Sequence, residues 1–292
     1  ERLLRNAGDF GGAAAPPHGV DDVVYFGQPI GVVVAESYEQ ARAAALTVGV
    51  EYQSEDGVFD LLAALDKAEP PTDDIYGLFL IHTEQGDVEA AMRSAAATVD
   101  EVWTTPSQSH AAMEPHATVA TWEGDHLTLN ASYQSPVVTR DQLATLLGME
   151  PEKVRILSPF VGGGFGGKLG LMPEGAAAAI ASKQLGRPVK IAMTRQNVFE
   201  TTGRRPATHQ RLRLGADASG KLTAIAHETI TDQLEGEVFF EPAGLATHVL
   251  YDGPNRMVDH KVVRVNKLLG VSMRAPGEAG GDSLLAQADA CF

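Results

Sequence analysis

The chain has 292 residues, 44% hydrophobic and 21% charged, an ordinary globular composition with enough length for two domains. A formal net charge of -15 repels phosphate backbones and argues against a nucleic-acid partner. One cysteine, Cys291, cannot build a disulfide framework, an iron–sulfur cluster or a zinc site, and no run of about 18 apolar residues is present to span a membrane. The first residue is Glu1 and nothing like a signal peptide follows, so the sequence reads as a processed or partial chain, and its compartment stays open.

Residues 1–22 are rich in Gly, Ala and Pro and read as a loop. Residues 23–26 and 30–35 predict two strands around the turn Gly27-Gln28-Pro29. Ser37 with Gln40 three positions on is a capping-box pattern, opening a helix from Tyr38 to about Thr47. A strand at 48–52 would close this small α+β unit. Residues 53–80 read as a connector containing Pro70-Pro71. A helix is expected at 88–97 after Gly86-Asp87, then strands at 99–104, 117–122 and 127–132, the last two joined at Gly124-Asp125. Helices at 136–147 and 173–185 each begin with Pro and end at Gly148 and Gly186. Strands are expected at 154–157, 189–193, 210–214 and 222–227, the last pair around the turn 217–220.

The strongest local signal is Val161-Gly162-Gly163-Gly164-Phe165-Gly166-Gly167-Lys168. Glycines at this density let backbone approach a ligand closely, and consecutive N–H groups form an anion-binding nest. The segment fits G-x-x-x-x-G-K, but Leu169 replaces the Ser or Thr that a nucleotide P-loop uses to hold Mg²⁺. It also fits G-x-G-x-x-G, yet the strand at 189–193 ends in Thr194-Arg195 with no acidic ribose partner. A turn without a ligand is the remaining structural reading.

Three segments in order resemble the molybdenum-binding large subunit of the xanthine oxidase/aldehyde oxidoreductase family, and its bacterial aldehyde oxidoreductase branch in particular. They are Gln108-Ser109-His110-Ala111-Ala112-Met113-Glu114-Pro115-His116, the loop 162–168, and Met273-Arg274-Ala275-Pro276-Gly277-Glu278-Ala279. Gly186-Arg187-Pro188-Val189-Lys190 and Arg205-Pro206-Ala207-Thr208 are similar to the same branch, and residues 25–36 resemble its small "hammerhead" domain. The resemblance implies an α+β fold: a small α/β hammerhead domain with its connector over 1–80, then part of a mixed α/β molybdopterin-binding domain over 81–292. It implies Mo-molybdopterin, in the cytosine dinucleotide form, with the metal held by the cofactor's dithiolene and not by side chains. Gln108 would direct its amide at the metal's apical oxo group, Gly164, Phe165 and Gly166 would lie against the metal centre, and Arg274 would complete a wall. The implied activity is oxidation of a small aldehyde to a carboxylic acid with water as oxygen source, electrons leaving to iron–sulfur and FAD partners.

The family's base is a Glu in a Gly-x-Gly-Glu motif, and none follows Arg274, so no catalytic residue is assigned; Glu278 belongs to the wall segment. The isolated chain is therefore expected to hold little or no molybdenum. Leu169 cannot hydrogen-bond a purine edge, which favours aldehydes over xanthine. Residues 280–292 depart from the family's helix after this segment. A catalytically inactive truncated paralogue acting as a binding or assembly module, and a P-loop nucleotide binder, are the competing readings. His110, Glu114 and His116 have the wrong spacing for zinc, and Arg211 and Arg213 alternating with Leu212 and Leu214 read as one solvated strand face, with a subunit or cofactor-phosphate contact as the alternative.

Overall fold

The computed structural model describes residues 22–72 and 80–289. In chain order its elements are α1 (Tyr38–Ala45), β1 (His82–Gln85), α2 (Val88–Ser94), β2 (Ala97–Thr105), β3 (Ala117–Glu123), β4 (His126–Ala131), α3 (Pro136–Leu147), β5 (Val154–Leu157), α4 (Pro173–Leu185), β6 (Val189–Ala192), α5 (Arg195–Thr201), β7 (Thr208–Ala216), β8 (Leu222–Gln233), β9 (Asn255–Arg264) and α6 (Glu278–Asp289). Short 3₁₀ turns lie at Leu62–Lys67, Pro151–Lys153 and Leu245–His248. The chain divides into two compact units, one of residues 1–57 and 110–203, the other of 58–109 and 204–292.

The first unit is built on a four-stranded sheet, β5-β4-β3-β6. β3 and β4 form a hairpin because Gly124 supplies a positive φ at the turn. β4 and β5 are parallel, joined through α3 as a crossover. α3 starts on Pro136 and stops where Gly148 turns left-handed; α4 repeats the design with Pro173 and Gly186. Leu127 and Leu129 of β4, Leu143 and Leu146 of α3, and Ala176 and Ala179 of α4 form one buried core. Alanines let α4 approach the sheet closely enough for Trp122 Nε1–H to donate to the Ala179 carbonyl at 2.9 Å, while Lys183 sits 3.9 Å over the indole ring.

The second unit is a five-stranded sheet, β1-β9-β8-β7-β2. All neighbours are antiparallel except β8 and β9. Side chains alternate across β8: Ile225 packs with Leu284 and Ala288 of α6, whereas Ala224 and Ala226 pack with Val88 of α2. The two helices therefore cover opposite faces. Trp103 of β2 packs against the α6 side. Arg211 pairs Asp100 across the strands through two bonds of 2.8 and 2.7 Å, whereas Arg213 pairs Glu89 of α2 at 2.7 Å with its side chain only 12% exposed, so the solvated face expected from their alternation holds at Arg211 and not at Arg213.

The α+β class holds, as do most of the expected elements. Three expected strands do not form. Residues 23–26, 30–35 and 48–52 carry no strand, although the Gly27 turn and the Ser37–Gln40 capping box are present. Val32, Val34 and Val50 are exposed and no strand among the described residues pairs with them, and an alternating pattern becomes a strand only when a neighbour takes up its N–H and C=O groups. Residues 278–289, by contrast, do form a helix, which buries Leu284 and Ala288. β1, α5 and β9 were not anticipated. Residues 1–21, 73–79 and 290–292, including Cys291, lie outside the described residues.

Candidate functional site

The glycine loop lies in the first unit, between β5 and α4, and it is braced by side chains from other segments. Glu114 accepts the Gly162 N–H at 2.8 Å, and the Gln134 side-chain oxygen accepts the N–H groups of Gly166 at 2.9 Å and Lys168 at 3.2 Å. His116 Nε2 donates to the Gly167 carbonyl at 2.8 Å. The glycines are required by these braces. A Cβ at Gly162 would stand 2.5 Å from Glu114 Cβ, one at Gly167 would stand 2.8 Å from His110 Cγ, and one at Gly164 would strike the Gln134 amide. The need for glycine at these three positions thus comes first from the protein's own side chains, a correction to the ligand-approach argument. What remains for a ligand is the middle of the loop. Among the described residues the N–H groups of Gly163, Gly164 and Phe165 form no hydrogen bond, and Phe165 is exposed.

Lys168 settles the nucleotide question. Its side chain is 0% exposed, and its ammonium donates to the Glu114 carboxylate at 2.7 Å, the Glu114 carbonyl at 3.1 Å and Ser132 Oγ at 3.2 Å. All three protons are spent inside the fold, so none can reach a phosphate and the P-loop reading fails. Burial raises the Glu114 carboxyl, but hydrogen bonds from Lys168, Ser132 and the Gly162 N–H outweigh it and hold the group at about 2. Glu114 is therefore a permanent anion. Among the described residues no three His, Cys, Asp or Glu side chains are grouped so as to hold a metal ion.

Gln108 and Arg274 belong to the second unit, where Arg205 joins them. Gln108 and Arg205 exchange two backbone hydrogen bonds, of 3.2 and 2.8 Å. Arg205 Nη1 donates to the side-chain oxygen of Gln108 at 3.3 Å, and Nη2 donates to the carbonyls of Met273 at 2.8 Å, Arg274 at 2.6 Å and Ala275 at 3.3 Å. A guanidinium only donates, so the Gln108 amide must present its oxygen to Arg205 and its NH₂ elsewhere. That NH₂ has no partner among the described residues, and the exposed Arg274 guanidinium has no ion pair there. The sequence marks Arg205 only as part of Arg205-Pro206-Ala207-Thr208 and gives no sign of Gln134 or Glu241, because these residues act across 32 or more positions.

Backbone strain marks the same segments. Three non-glycine residues have positive φ among those described: Ala111 at 47°, Phe165 at 54° and Ala275 at 57°. They fall one in each of the three recognised segments. Such conformations cost on the order of 1–3 kcal/mol each and persist where surrounding structure holds them, typically at ligand sites. Within the first unit the uncommitted N–H donors at 163–165 suit an anionic, oxygen-rich group, and within the second the Gln108 amide presents a donor; each fits a molybdopterin cofactor by itself.

A model of the molybdopterin cofactor-binding domain matches residues 69–285. The chain belongs to this molybdopterin-binding family. Its relatives include the aldehyde oxidoreductase molybdenum-binding subunit PaoC of Escherichia coli, 42% identical over 259 residues, which are 89% of this chain and 35% of PaoC. The nicotinate dehydrogenase large molybdopterin subunit of Eubacterium barkeri is 29% identical over 266 residues, 88% of this chain and 62% of that one. Among solved structures, quinoline 2-oxidoreductase from Pseudomonas putida 86 superposes with a TM-score of 0.75 at 26% identity, covering 88% of this chain and 34% of that one. Aldehyde oxidoreductase from Desulfovibrio gigas gives 0.73 at 23% identity, over 87% and 30%, a likeness of fold. This family member thus spans about a third of the length of PaoC. No helix among its described residues is long and apolar enough to cross a membrane.

Proposed function

We propose that this chain is the cofactor-holding part of a molybdenum-dependent hydroxylase that oxidises an aldehyde to a carboxylic acid, taking oxygen from water and passing electrons to iron–sulfur and FAD partners. Identity to PaoC, named as an aldehyde oxidoreductase subunit, supports the substrate class, and the half-buried apolar Leu169 beside the glycine loop suits it. On this reading residues 1–80 are the hammerhead-like domain with its connector, and 81–292 the first part of the molybdopterin-binding domain. The cofactor, in its cytosine dinucleotide form, would supply the two-electron oxidation when bound. The chain's own residues bind and orient. Gly164, Phe165 and Gly166 would offer backbone to the metal centre, Arg274 would wall it, and Gln108 would donate an amide N–H to an oxo oxygen of the cofactor. A primary amide suits that task because it hydrogen-bonds an oxo oxygen without surrendering its proton.

One observation carries the reading: Arg205 takes the acceptor end of the Gln108 amide and leaves the donor end outward. The test is Gln108→Ala in the cofactor-loaded enzyme, with aldehyde-dependent reduction of an artificial acceptor as readout. Loss of a preorganised donor should lower kcat by about a hundredfold while molybdenum content stays at the wild-type level. Unchanged turnover would remove Gln108 from the site.

A further inference from the structure

Arg205 is 6% exposed, yet it is the residue on which both recognised segments of its unit converge. Its Nη1 reaches Gln108, its Nη2 three successive carbonyls at 273–275, and its Nε lies 3.4 Å from a Glu241 carboxylate oxygen. That same oxygen accepts the Gly277 N–H at 2.7 Å. Backbone pairing carries the arrangement further: Arg205 pairs with Gln108, while its neighbour Arg204 pairs with Leu269 and Val271. The ribbon 204–205 is thus sewn to the Gln108 segment on one side and to residues 269–271, which lead into 273–279, on the other.

We propose that Arg205, braced by Glu241, is a positioning residue that fixes the outward direction of the Gln108 amide and the backbone path carrying Arg274. The idea rests on the function proposed above. Carbonyl oxygens of three consecutive residues converge on one nitrogen, and without a cation between them their dipoles repel. Ala275, the last of the three, holds a left-handed φ that needs outside support to persist. Glu241 is fully buried, which pushes its carboxyl up to about 7, and the Arg205 charge 3.4 Å from one of its oxygens works against that shift. A planar fork can serve an amide oxygen and a row of carbonyls through its two terminal nitrogens while its charge stays 3.4 Å from a carboxylate, an ion pair without a hydrogen bond at Nε. A lysine, with one ammonium, cannot.

The test uses Arg205→Lys, Glu241→Gln, Gln108→Ala and the double variant Gln108→Ala/Arg205→Lys. In the 292-residue chain, Arg205→Lys should speed hydrogen exchange of the Gly277 amide and its neighbours by roughly tenfold, the effect of losing charge-assisted bonds, with α3 amides unchanged. Glu241→Gln keeps an oxygen for Gly277 and drops only the charge. It should act in the same direction but less, and it serves if Arg205→Lys does not fold. In the loaded enzyme Arg205→Lys should lower kcat by roughly tenfold with KM within about twofold, and should add little on the Gln108→Ala background. Unaltered exchange at 273–279 in both variants overturns the proposal, as does a kcat loss that adds in full to that of Gln108→Ala. If Gln108→Ala alone leaves kcat intact, the function proposed for Gln108 fails, and the exchange data still decide whether Arg205 holds the 273–279 segment.

Discussion

Glu114 and Lys168 are an ion pair whose two halves are unequally covered, and the asymmetry predicts which substitution hurts more. The Lys168 side chain is 0% exposed and the Glu114 side chain 40%. Glu114→Gln removes the countercharge and leaves a buried ammonium with neutral acceptors only, the situation that costs about 3–5 kcal/mol when a buried pair is broken. Lys168→Met leaves a carboxylate that keeps Ser132 and the Gly162 N–H and gains water, while the thioether chain packs without desolvation. That cost should be about 1–2 kcal/mol, a charged hydrogen bond partly offset. The double variant should be less destabilised than the sum of its parts. Because Glu114 sits at about 2 when folded against an ordinary 4.5, its contribution is complete above 4.5 and is lost as pH falls toward 2. Solvent at the half-exposed carboxylate limits that contribution to about 1–2 kcal/mol. Urea unfolding of the wild type and the three variants, at neutral pH and down to about pH 3, measures all of this. A Lys168→Met cost equal to or above that of Glu114→Gln, or strict additivity, would refute the reasoning.

Two further outcomes follow from the packing. Gly167→Ala should cost about 1–3 kcal/mol by driving a methyl into the His110 ring, whereas Gly31→Ala, with nothing within 4 Å, should be near neutral; thermal melts compare them directly. His227 donates or accepts at Thr247 and Gln210 inside the second unit, and burial, with smaller effects from His260 and His248, lowers it to about 3. A His kept neutral in the fold stabilises fully above its ordinary 6.5 and loses that stability as pH falls toward 3, so His227→Gln should flatten the acid limb of the urea midpoint between those values. A limb as steep as the wild type's would assign the acid sensitivity elsewhere.

Helices α3 and α4 were legible end to end because their Pro starts and Gly stops are local chemistry, and the Ser37–Gln40 box was legible for the same reason. β9 also left a signal, the alternation of Val258, His260 and Val262, all buried, and α5 left another in Thr194 and Asn197, which cap each other reciprocally. Residues 30–35 show the reverse: a strand pattern with no partner strand among the described residues. The candidate site was legible as three segments, since dense glycines and unusual polar strings stand out in a sequence. Its supports were not. Gln134 bonds a loop more than thirty positions away, and Arg205 serves carbonyls some seventy positions away, spacings that no local pattern encodes. The glycine loop shows the difference most clearly. Its composition was read as room for a ligand, yet Glu114, Gln134 and His110 already occupy the space that side chains at Gly162, Gly164 and Gly167 would need.

The chain has two tryptophans, and each unit contains one: Trp122 in the first, stacked under Lys183 and bonded to α4, and Trp103 in the second, packed against the α6 side of its sheet. Intrinsic fluorescence can therefore be made a separate reporter for each half of the chain. With Trp103→Phe the emission follows only the sheet that carries the glycine loop; with Trp122→Phe it follows only the sheet that carries Gln108 and Arg274. Overlapping denaturation curves from the two would show the halves melting as one cooperative body, and displaced curves would show which half yields first.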